Sequence, residues 1–463
     1  MLQSVAVRKR VHMLLCAHHV LPITSDPIVD GAILVRDGLI ADIGPADLLK
    51  KHYPDEEAKD YGEAALIPGL VDLHAHLEDT LMRGLVPDQP YAQWRHAVHA
   101  LGDGLDRMEW RASAVLGALE ALSSGITFVA DRSRAGATVA ALQRLGMRGI
   151  VYREVGATDS RRIDYALDAA LDSTLLWREG IDNDRIKIGI APRPTYDCHP
   201  ALYTKAAALA REEGIPLSLS VASSQEECDF IRYGSSSLSV DAMKDKRGFV
   251  EIPPWLPTGV SPVQYIANWG GFEADNILAV HCVHVDAEDI GILKRYGVSV
   301  AVCARTNAQL SMGVAPLLEM IRAGLTVGLG TGYSEATDAT DLLEEMRTCM
   351  LLQRAVNPGR YIDCTTMLEM ATINAARAVK MDDKIGSLEA GKLADIIAVD
   401  LSASYQSPTD DPASAIVNTA SGPNVIMTMI GGEIRYEQGN WTAESDISKD
   451  LSRALEIRAK LRK

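Results

Sequence analysis

The sequence predicts an α/β protein: a (β/α)8 barrel of the TIM type, with a small β-sandwich domain built from both chain ends. Two observations predict this fold. In the middle of the chain, eight short apolar runs alternate with segments of helical periodicity over about 320 residues, as in a barrel of eight strand–helix units. Both chain ends, in contrast, carry strand patterns. We expect the barrel at residues 67–386 and the composite β-domain at residues 1–66 and 387–463.

Strand patterns at the two chain ends support the composite domain. Residues 32–36 and 39–44 flank Asp37-Gly38, a pair that supplies the positive φ angles of a tight hairpin turn. Near the other end, residues 394–400 and 425–430 are two further apolar strand patterns. The chain therefore begins and ends in β-structure.

The apolar runs in the middle predict the barrel strands. A doubly wound open sheet is the alternative, but no glycine-rich dinucleotide fingerprint follows the first run. In a barrel the functional groups come from the carboxyl ends of the strands, so the residues that follow each run are the candidates. The eight runs are Leu66–Leu73, Ile126–Ala130, Gly149–Arg153, Ile186–Ile190, Leu217–Val221, Ile277–Cys282, Val298–Cys303 and Leu325–Leu329.

Composition and charge exclude several classes of partner. The chain of 463 residues has 62 acidic and 46 basic residues, a formal net charge of −16. A field of that sign disfavours nucleic acid and anionic membranes as partners. The seven cysteines contain no CxxC pair, which argues against a disulfide framework and a cysteine-rich zinc module. We expect a cytoplasmic protein that binds a small-molecule substrate and forms a homodimer or larger homo-oligomer.

The basic triplet Arg8-Lys9-Arg10, followed by the apolar residues 11–15, weakly resembles a signal peptide. Histidines at positions 12, 18 and 19 interrupt the apolar stretch, and no small-residue cleavage site follows. We interpret this segment as a first β-strand.

The first barrel run ends in His74 and His76. Side chains at i and i+2 of a strand point to the same face, so these two imidazoles are expected to converge on the barrel mouth. Two such groups form half of a typical metal site. A pair of surface histidines is the commoner meaning of an isolated HxH pattern, but Pro68-Gly69 and the β-rich start before it favour the functional interpretation.

These histidines belong to a longer series that resembles the amidohydrolase superfamily, especially the group containing the S-adenosylhomocysteine and methylthioadenosine deaminases and the chlorotriazine hydrolases. The resemblance covers nearly the whole chain. It implies a TIM-barrel hydrolase of carbon–nitrogen bonds that holds one divalent metal, zinc or iron. The matching segments are residues 68–77, 82–84, 94, 125–131, 196–200, 279–284, 371–376 and 385–395.

Several positions that the family uses for metal binding and proton transfer hold other residues here. The resemblance places Ser220 at a metal-ligand histidine, Ser223 at the proton-shuttle glutamate and Gly332 at the ligand aspartate of strand eight. The HxH pair matches the first two metal ligands, and His281 matches the histidine that contacts the attacking water. The sequence therefore predicts a degenerate metal site. Gly332→Asp together with Ser220→His is expected to rebuild it if the backbone has not shifted.

The predicted mouth also gains Arg193, Arg305 and Tyr333. A guanidinium presents a planar pair of donors to a carboxylate or phosphate, so we expect at least one of the arginines to bind an anionic group. Pairing with a local acid, such as Glu335 or Asp197, is the alternative. The predicted catalytic residues are His281 and Tyr333; the predicted substrate-binding residues are Arg193, Arg305, Ser220, Ser223 and Trp94; the predicted metal ligands, if a metal is bound, are His74 and His76.

Metal binding and chemistry stay open at this point. Two imidazoles hold a divalent ion weakly, and His281 is the available third one. Glu335 or Asp338 is placed to add a carboxylate, whereas the charge of Arg193 opposes a cation. We predict a hydrolase of a carbon–nitrogen or similar bond. The alternatives are a metal-free lyase, isomerase or cyclase on the same barrel, and a ligand-binding pseudoenzyme.

Overall fold

The computed structural model describes residues 12–86, 88–238, 257–442 and 447–462. The basic triplet of the signal-peptide interpretation lies outside these residues, and the described part of that segment is the first strand. The strands are β1 (His12–Val20), β2 (Ile28–Arg36), β3 (Leu39–Pro45), β4 (Ala58–Asp60), β5 (Ala64–Pro68), β6 (Leu70–Ala75), β7 (Ile126–Ser133), β8 (Arg148–Val155), β9 (Ile186–Pro192), β10 (Leu217–Val221), β11 (Ile277–His281), β12 (Ser299–Val302), β13 (Val327–Leu329), β14 (Ile396–Asp400), β15 (Val425–Ile430), β16 (Glu433–Glu437) and β17 (Asn440–Trp441).

Helices follow and separate the strands in the order expected for a barrel. Three short 3-10 segments lie at Leu77–Met82, Ser160–Arg162 and Gly422–Asn424. The α-helices are Ala46–His52, Tyr91–Gly102, Arg107–Ser123, Ala137–Leu145, Ile163–Arg178, Ala201–Glu212, Gln225–Tyr233, Pro262–Asn268, Ala287–Arg295, Ala304–Gln309, Leu317–Ala323, Ser334–Thr337, Leu342–Val356, Cys364–Ala371, Ile373–Ala378, Pro412–Thr419 and Ile447–Leu461.

Strands β6 to β13 form the predicted barrel. All eight are parallel, and each pairs with its neighbours in chain order. The seam between the first and last strands is narrow: a single parallel bridge joins Ala75 to Gly332. The N–H of Gly332 also donates to the carbonyl oxygen of His74 at 2.7 Å. The barrel thus closes at the residues that carry the HxH pair, which confirms the predicted fold class.

Strands from both chain ends form one mixed sheet of nine strands. Its central strand is β5, which pairs in parallel with β1 and antiparallel with β14. The predicted hairpin is present as β2 and β3, turning at Asp37-Gly38. The composite organisation of the small domain is therefore confirmed, while its boundaries at 66 and 387 stay predictions.

A buried ion pair joins the barrel to this sheet. The Nε group of Arg148, at the start of β8, donates to Oδ2 of Asp395 at 2.8 Å. The other oxygen of Asp395 accepts the N–H of Gly431 at 2.7 Å. Both charged side chains are almost fully buried, so each depends on the other for compensation.

None of the helices in the described ranges has the length and apolar character needed to cross a membrane.

Candidate active site

A cavity lies at the carboxyl ends of the barrel strands. It encloses about 450 Å³ including its mouth, and His76 and the aromatic residues Tyr91, Trp94 and Tyr333 form part of its wall. Its charged residues are unusual for an acidic protein. They comprise four arginines, Arg95, Arg132, Arg134 and Arg193, and three carboxyl groups, Glu154, Asp197 and Glu335.

The predicted histidines are brought together at the inner end of this cavity. The Nε2 atoms of His74 and His76 are 3.2 Å apart, and the ring centres of His74 and His281 are 5.7 Å apart. His281 Nδ1 lies 2.9 Å from Oδ1 of Asn307, whereas its buried Nε2 atom has no hydrogen-bond partner among the described residues. With Nδ1–H donating to Asn307, Nε2 carries a free lone pair.

Arg132, at the end of β7, occupies the place next to the expected third metal ligand. Its Nη1 group donates to Oγ of Ser220 at 3.0 Å, and its Nη2 group donates to the carbonyl oxygen of Pro192 at 3.1 Å. Its Nε group donates to Oε2 of Glu154 at 3.1 Å. The guanidinium is buried and fully bonded, so it is a fixed cation beside the histidines.

These residues do not fit the metal site of the family. Burial lowers the pKa of His74 well below its usual range, and the neighbouring His76, His281 and Arg132 lower it further, so this imidazole is neutral. In the described ranges, one group of three metal-ligand side chains has donor atoms that all lie within 4.8 Å of one another. It consists of His76, Asp79 and Glu335, and not of the three histidines. Ser220 is hydrogen-bonded to a guanidinium, and Gly332 has no side chain. Neither residue can therefore replace the metal ligand that the resemblance implies at its position.

Gly332 also has no room for the missing aspartate. Its φ of +72° lies in the left-handed region, and a Cβ atom there would be 2.3 Å from Oγ1 of Thr306. The same Thr306 oxygen accepts the N–H of Tyr333 at 3.1 Å, so it is held in place. The expectation that Gly332→Asp and Ser220→His rebuild the site is therefore wrong for this backbone.

Ser220 and Ser223 are buried behind the cavity and are not among the residues that line it. Ser223 donates through both Oγ and its backbone N–H to Oε2 of Glu227, each at 2.8 Å. Thr195 donates to the other oxygen of Glu227 at 2.8 Å. The two serines thus act as hydrogen-bond partners of charged groups, and the structure does not place them against a ligand.

The two predicted arginines have different positions. Arg193 lines the cavity, and its Nε group donates to Oε1 of Glu154 at 2.6 Å. Its acid partner is therefore neither Glu335 nor Asp197. Arg305 lies outside this cavity: its Nη2 group donates to the carbonyl oxygen of Thr337 at 3.1 Å. Of the two arginines, only Arg193 therefore lines this cavity, and binding of a ligand by either one stays a prediction.

The aromatic residues pack in a continuous group. The ring centres of Trp94 and Tyr333 are 5.0 Å apart, and the ring of Tyr333 stacks on that of His281 at 5.8 Å with an interplanar angle of 28°. Burial raises the pKa of Tyr333 well above its usual value, and Tyr91 beside it raises it further. The Tyr333 hydroxyl is therefore a proton donor and not a base.

Asp79 and Glu335 bring two carboxyl groups to His76. Asp79 Oδ2 is 3.2 Å from His76 Nδ1. His76, Asp79 and Glu335 each offer one ligand atom, and these three atoms lie within 4.8 Å of one another. Burial raises the pKa of Glu335 well above its usual range, and the negative charge of Asp79 raises it further.

The comparisons with known proteins agree with this architecture. The profile of the amidohydrolase family matches residues 65–435 of the sequence. The chain belongs to the amidohydrolase family. Membership places this amidohydrolase among hydrolases that act on carbon–nitrogen bonds other than peptide bonds, as the sequence predicts.

Curated relatives of this amidohydrolase are similar over most of their length. A 5-methylthioadenosine/S-adenosylhomocysteine deaminase of Nitratidesulfovibrio vulgaris is 31% identical over 439 residues, 92% of each chain. A 5'-deoxyadenosine deaminase of Methanopyrus kandleri is 29% identical over 427 residues, 90% of this chain and 92% of the relative.

Solved structures of related fold contain zinc. An adenosine deaminase from Xanthomonas campestris with bound zinc has a TM-score of 0.82 and 25% identity, covering 97% of this chain and 98% of that one. Atrazine chlorohydrolase from Arthrobacter aurescens in complex with zinc has a TM-score of 0.80 and 23% identity, covering 97% of this chain and 100% of the other. The second similarity shows the fold alone.

Sequence reasoning missed Arg132, Arg134, Glu154 and Asp79 as members of this amidohydrolase site. A usable signal was present for two of them. Arg132 lies two positions after the apolar run that predicts the second barrel strand, and Glu154 directly follows the third run, where functional residues are expected. Asp79 has no such signal, because it lies in the 3-10 segment Leu77–Met82.

Proposed function

We propose that this amidohydrolase hydrolyses a carbon–nitrogen bond of a small planar nitrogen heterocycle that carries an anionic group. The observation that carries the proposal is the combination, in one cavity, of an aromatic wall and an excess of arginines. The family's metal ligands do not fit here, so the proton transfers are assigned to residues of the chain itself.

Two arginines have donor groups left for an anion. Arg193 uses only its Nε group in its bond to Glu154, and its side chain is 42% exposed. Arg134 has one ionic contact, at 4.0 Å to Asp79. Arg132 donates from all three of its nitrogens to protein acceptors. Arg95 pairs with Asp197 and lies over the ring of Tyr196 at 4.9 Å, and its side chain is only 16% exposed. The anionic group is therefore assigned to Arg134 and Arg193.

Trp94 and Tyr333 supply the apolar part of the site. Their rings lie 5.0 Å apart at an angle of 52°, and both face the cavity that the arginines line. Aromatic side chains bind planar rings by stacking, which adds to the burial of apolar area. The curated relatives are named as deaminases of adenine nucleosides. Adenine is itself a nitrogen heterocycle, so these names support the proposed substrate class.

His281 and Tyr333 are assigned the proton transfers. His281 is neutral at neutral pH, because burial lowers its pKa to about 4. Its unpartnered Nε2 atom can accept a proton from a water molecule. Tyr333, whose ring stacks on the same imidazole, is assigned the donation of a proton to the leaving nitrogen. Together they form a base and an acid on one side of the substrate.

The test is a comparison of matched ligands. Purines, pyrimidines and triazines are each assayed for ammonia release and binding, with and without a carboxylate or phosphate substituent. We expect the anionic member of the productive pair to bind more tightly. Arg193→Met and Arg134→Met should each weaken its binding by about 1.5–3 kcal/mol, the value of a hydrogen bond to a charged group. Arg377→Met, an exposed arginine elsewhere, is the control.

Two outcomes contradict the proposal. Equal binding of neutral and anionic members, unchanged by Arg193→Met, would show that the arginines are structural. Tight binding of a ligand without release of ammonia or another product would support the alternative of a binding protein.

A further inference from the structure

We propose that the protein binds one divalent transition-metal ion at His76 Nδ1, Asp79 and Glu335, displaced from the family's metal position. This inference does not depend on the substrate class proposed above. The proposed site uses the Nδ1 atom of His76, whereas Nε2 of the same ring lies next to His74. Its two carboxylates, from Asp79 and Glu335, lie outside the sequence segments that resemble the family.

The spacing of the donor atoms fits an ion. Ligand atoms with metal bonds of roughly 2 Å in a tetrahedral arrangement are roughly 3.3 Å apart. The Nδ1 atom of His76 and Oδ2 of Asp79 are 3.2 Å apart. One ligand atom from each of His76, Asp79 and Glu335 lies within 4.8 Å of the other two. One imidazole and two carboxylates form a donor set that suits zinc, manganese and iron.

Unsatisfied oxygens in the cluster also indicate a missing partner. Asp79 Oδ1 and Glu335 Oε2 are buried, and neither accepts a hydrogen bond from the residues that the structure describes. The two side chains are only 2% and 4% exposed. Buried carboxyl oxygens without partners are costly, and a bound cation would satisfy both groups at once.

Neighbouring residues hold the three ligands in position. Glu78 accepts hydrogen bonds from Ser133 Oγ and from three backbone N–H groups, which anchors the 3-10 segment that carries Asp79. Ser334 Oγ donates to the carbonyl oxygen of His76 at 3.3 Å, which ties the loop of Glu335 to the HxH strand. His76 Nε2 remains 3.2 Å from His74 Nε2, so His74 orients the ligand imidazole.

The surroundings leave one side of the ion open. His76 and Glu335 both line the cavity, so an ion held by them would be accessible from the side of the proposed substrate. Arg134 is the competing cation, but its Nη2 group is 4.0 Å from Asp79 Oδ2, too long for a hydrogen bond. Arg132, whose charge opposes a metal at the family position, makes its bonds to Ser220, Pro192 and Glu154 instead.

Direct metal binding tests the proposal without any substrate. Chelator-treated protein is titrated with Zn²⁺ and Mn²⁺ by calorimetry, and bound metal is counted by elemental analysis after dialysis. We expect one ion per chain. Loss of an outer-shell partner weakens metal binding by roughly 10–100-fold. Glu335→Gln and Asp79→Asn each alter a direct ligand, so each should weaken metal binding by about 100-fold or more. Asp338→Asn removes the same charge from the same loop, outside the cluster, and should leave binding unchanged.

Circular dichroism and thermal melting establish that each variant is folded, and the two carboxylate variants serve as independent tests. Absence of bound ion in the wild-type chain overturns the proposal. So does an ion that is retained by Glu335→Gln and Asp79→Asn but lost in His281→Asn, because that ion would lie at the family position. None of these results affects the anion test with Arg193→Met, so the two proposals fail separately.

Discussion

The guanidinium of Arg132 donates a hydrogen bond of 3.0 Å to the hydroxyl of Ser220. The pair joins the carboxyl ends of β7 and β10 at the position where the family resemblance expects a metal-ligand histidine. The positive charge of the Arg132 guanidinium therefore lies beside the position at which the family resemblance implies a metal ion. The serine hydroxyl at this position accepts the hydrogen bond that the buried guanidinium donates.

Arg132 and Arg193 share Glu154, yet their removal should have unequal effects on stability. Arg132→Met leaves the buried Glu154 with half of its compensation and is expected to reduce the free energy of unfolding by about 3–5 kcal/mol. Arg193→Met should cost about 1 kcal/mol or less, because this side chain is 42% exposed. Urea unfolding of both variants measures the difference, and equal losses would contradict the assignment of Arg132 as the buried partner.

Gly332→Ala should destabilise the protein through a steric clash as well as backbone strain. Gly297 provides the matched control: its φ is +65°, but a Cβ there meets nothing within 4 Å. Gly297→Ala is expected to cost about 1–2 kcal/mol for the left-handed backbone alone. Gly332→Ala should cost a further 1–3 kcal/mol, roughly the range for overpacking. Thermal melting compares them, and equal melting temperatures would show that Thr306 gives way.

Tyr333→Phe separates proton donation from binding. The substitution keeps the ring against Trp94 and His281 and removes only the hydroxyl. We expect the Kd of the productive heterocycle to change little, while kcat falls by about 100-fold or more, as when a general acid is lost. Calorimetry and steady-state kinetics give the two values. A kcat that stays at the wild-type level would remove Tyr333 from the proton transfers.

Glu345 should make stability depend on pH. Burial raises the pKa of this carboxyl to about 8, while the backbone N–H and charge of Arg305 lower it only in part. The folded protein thus holds a proton that the unfolded chain has lost. Stability contributed by the protonated group is complete below about pH 4.3, the usual pKa of glutamate, and is lost as the pH rises towards 8.

Glu345→Gln tests this dependence, because glutamine keeps an acceptor oxygen for the N–H of Arg305. Between pH 5 and pH 8 the wild type should lose up to about 1.4 kcal/mol per pH unit relative to the variant. Urea unfolding at pH 5, 6.5 and 8 measures the slopes. Parallel slopes would mean that Glu345 ionises normally in the folded state.

The sequence was sufficient for the fold because the barrel strands are short buried runs with unambiguous apolar patterns. Every one of the eight predicted runs contains or overlaps a strand of the barrel. The hairpin at Asp37-Gly38 was equally clear, since the turn chemistry and the flanking patterns agree. The chain-end strands meet in one sheet because β5, at the entrance to the barrel, lies between β1 and β14.

The site was less predictable, because side-chain direction and long-range pairing are not local properties of the sequence. Arg132 and Ser220 are 88 positions apart, and only the barrel brings them together. Arg193 and Arg305 both follow strand patterns, yet one faces the cavity and the other faces Thr337. The missing side chain at Gly332 was visible in the sequence, whereas the Thr306 hydroxyl that fills its space was not.

The pairing of β5 with β14 has a consequence for how the protein is made. Strands β1 to β5 leave the ribosome first, but one edge of β5 has no partner until β14 has been synthesised. The whole barrel lies between these two strands in the chain. Long-range strand pairing of this kind is slow, and an unpaired strand edge exposes backbone hydrogen-bonding groups to other chains. This edge of β5 therefore stays available for incorrect pairing until residues 396–400 of the 463-residue chain have been made.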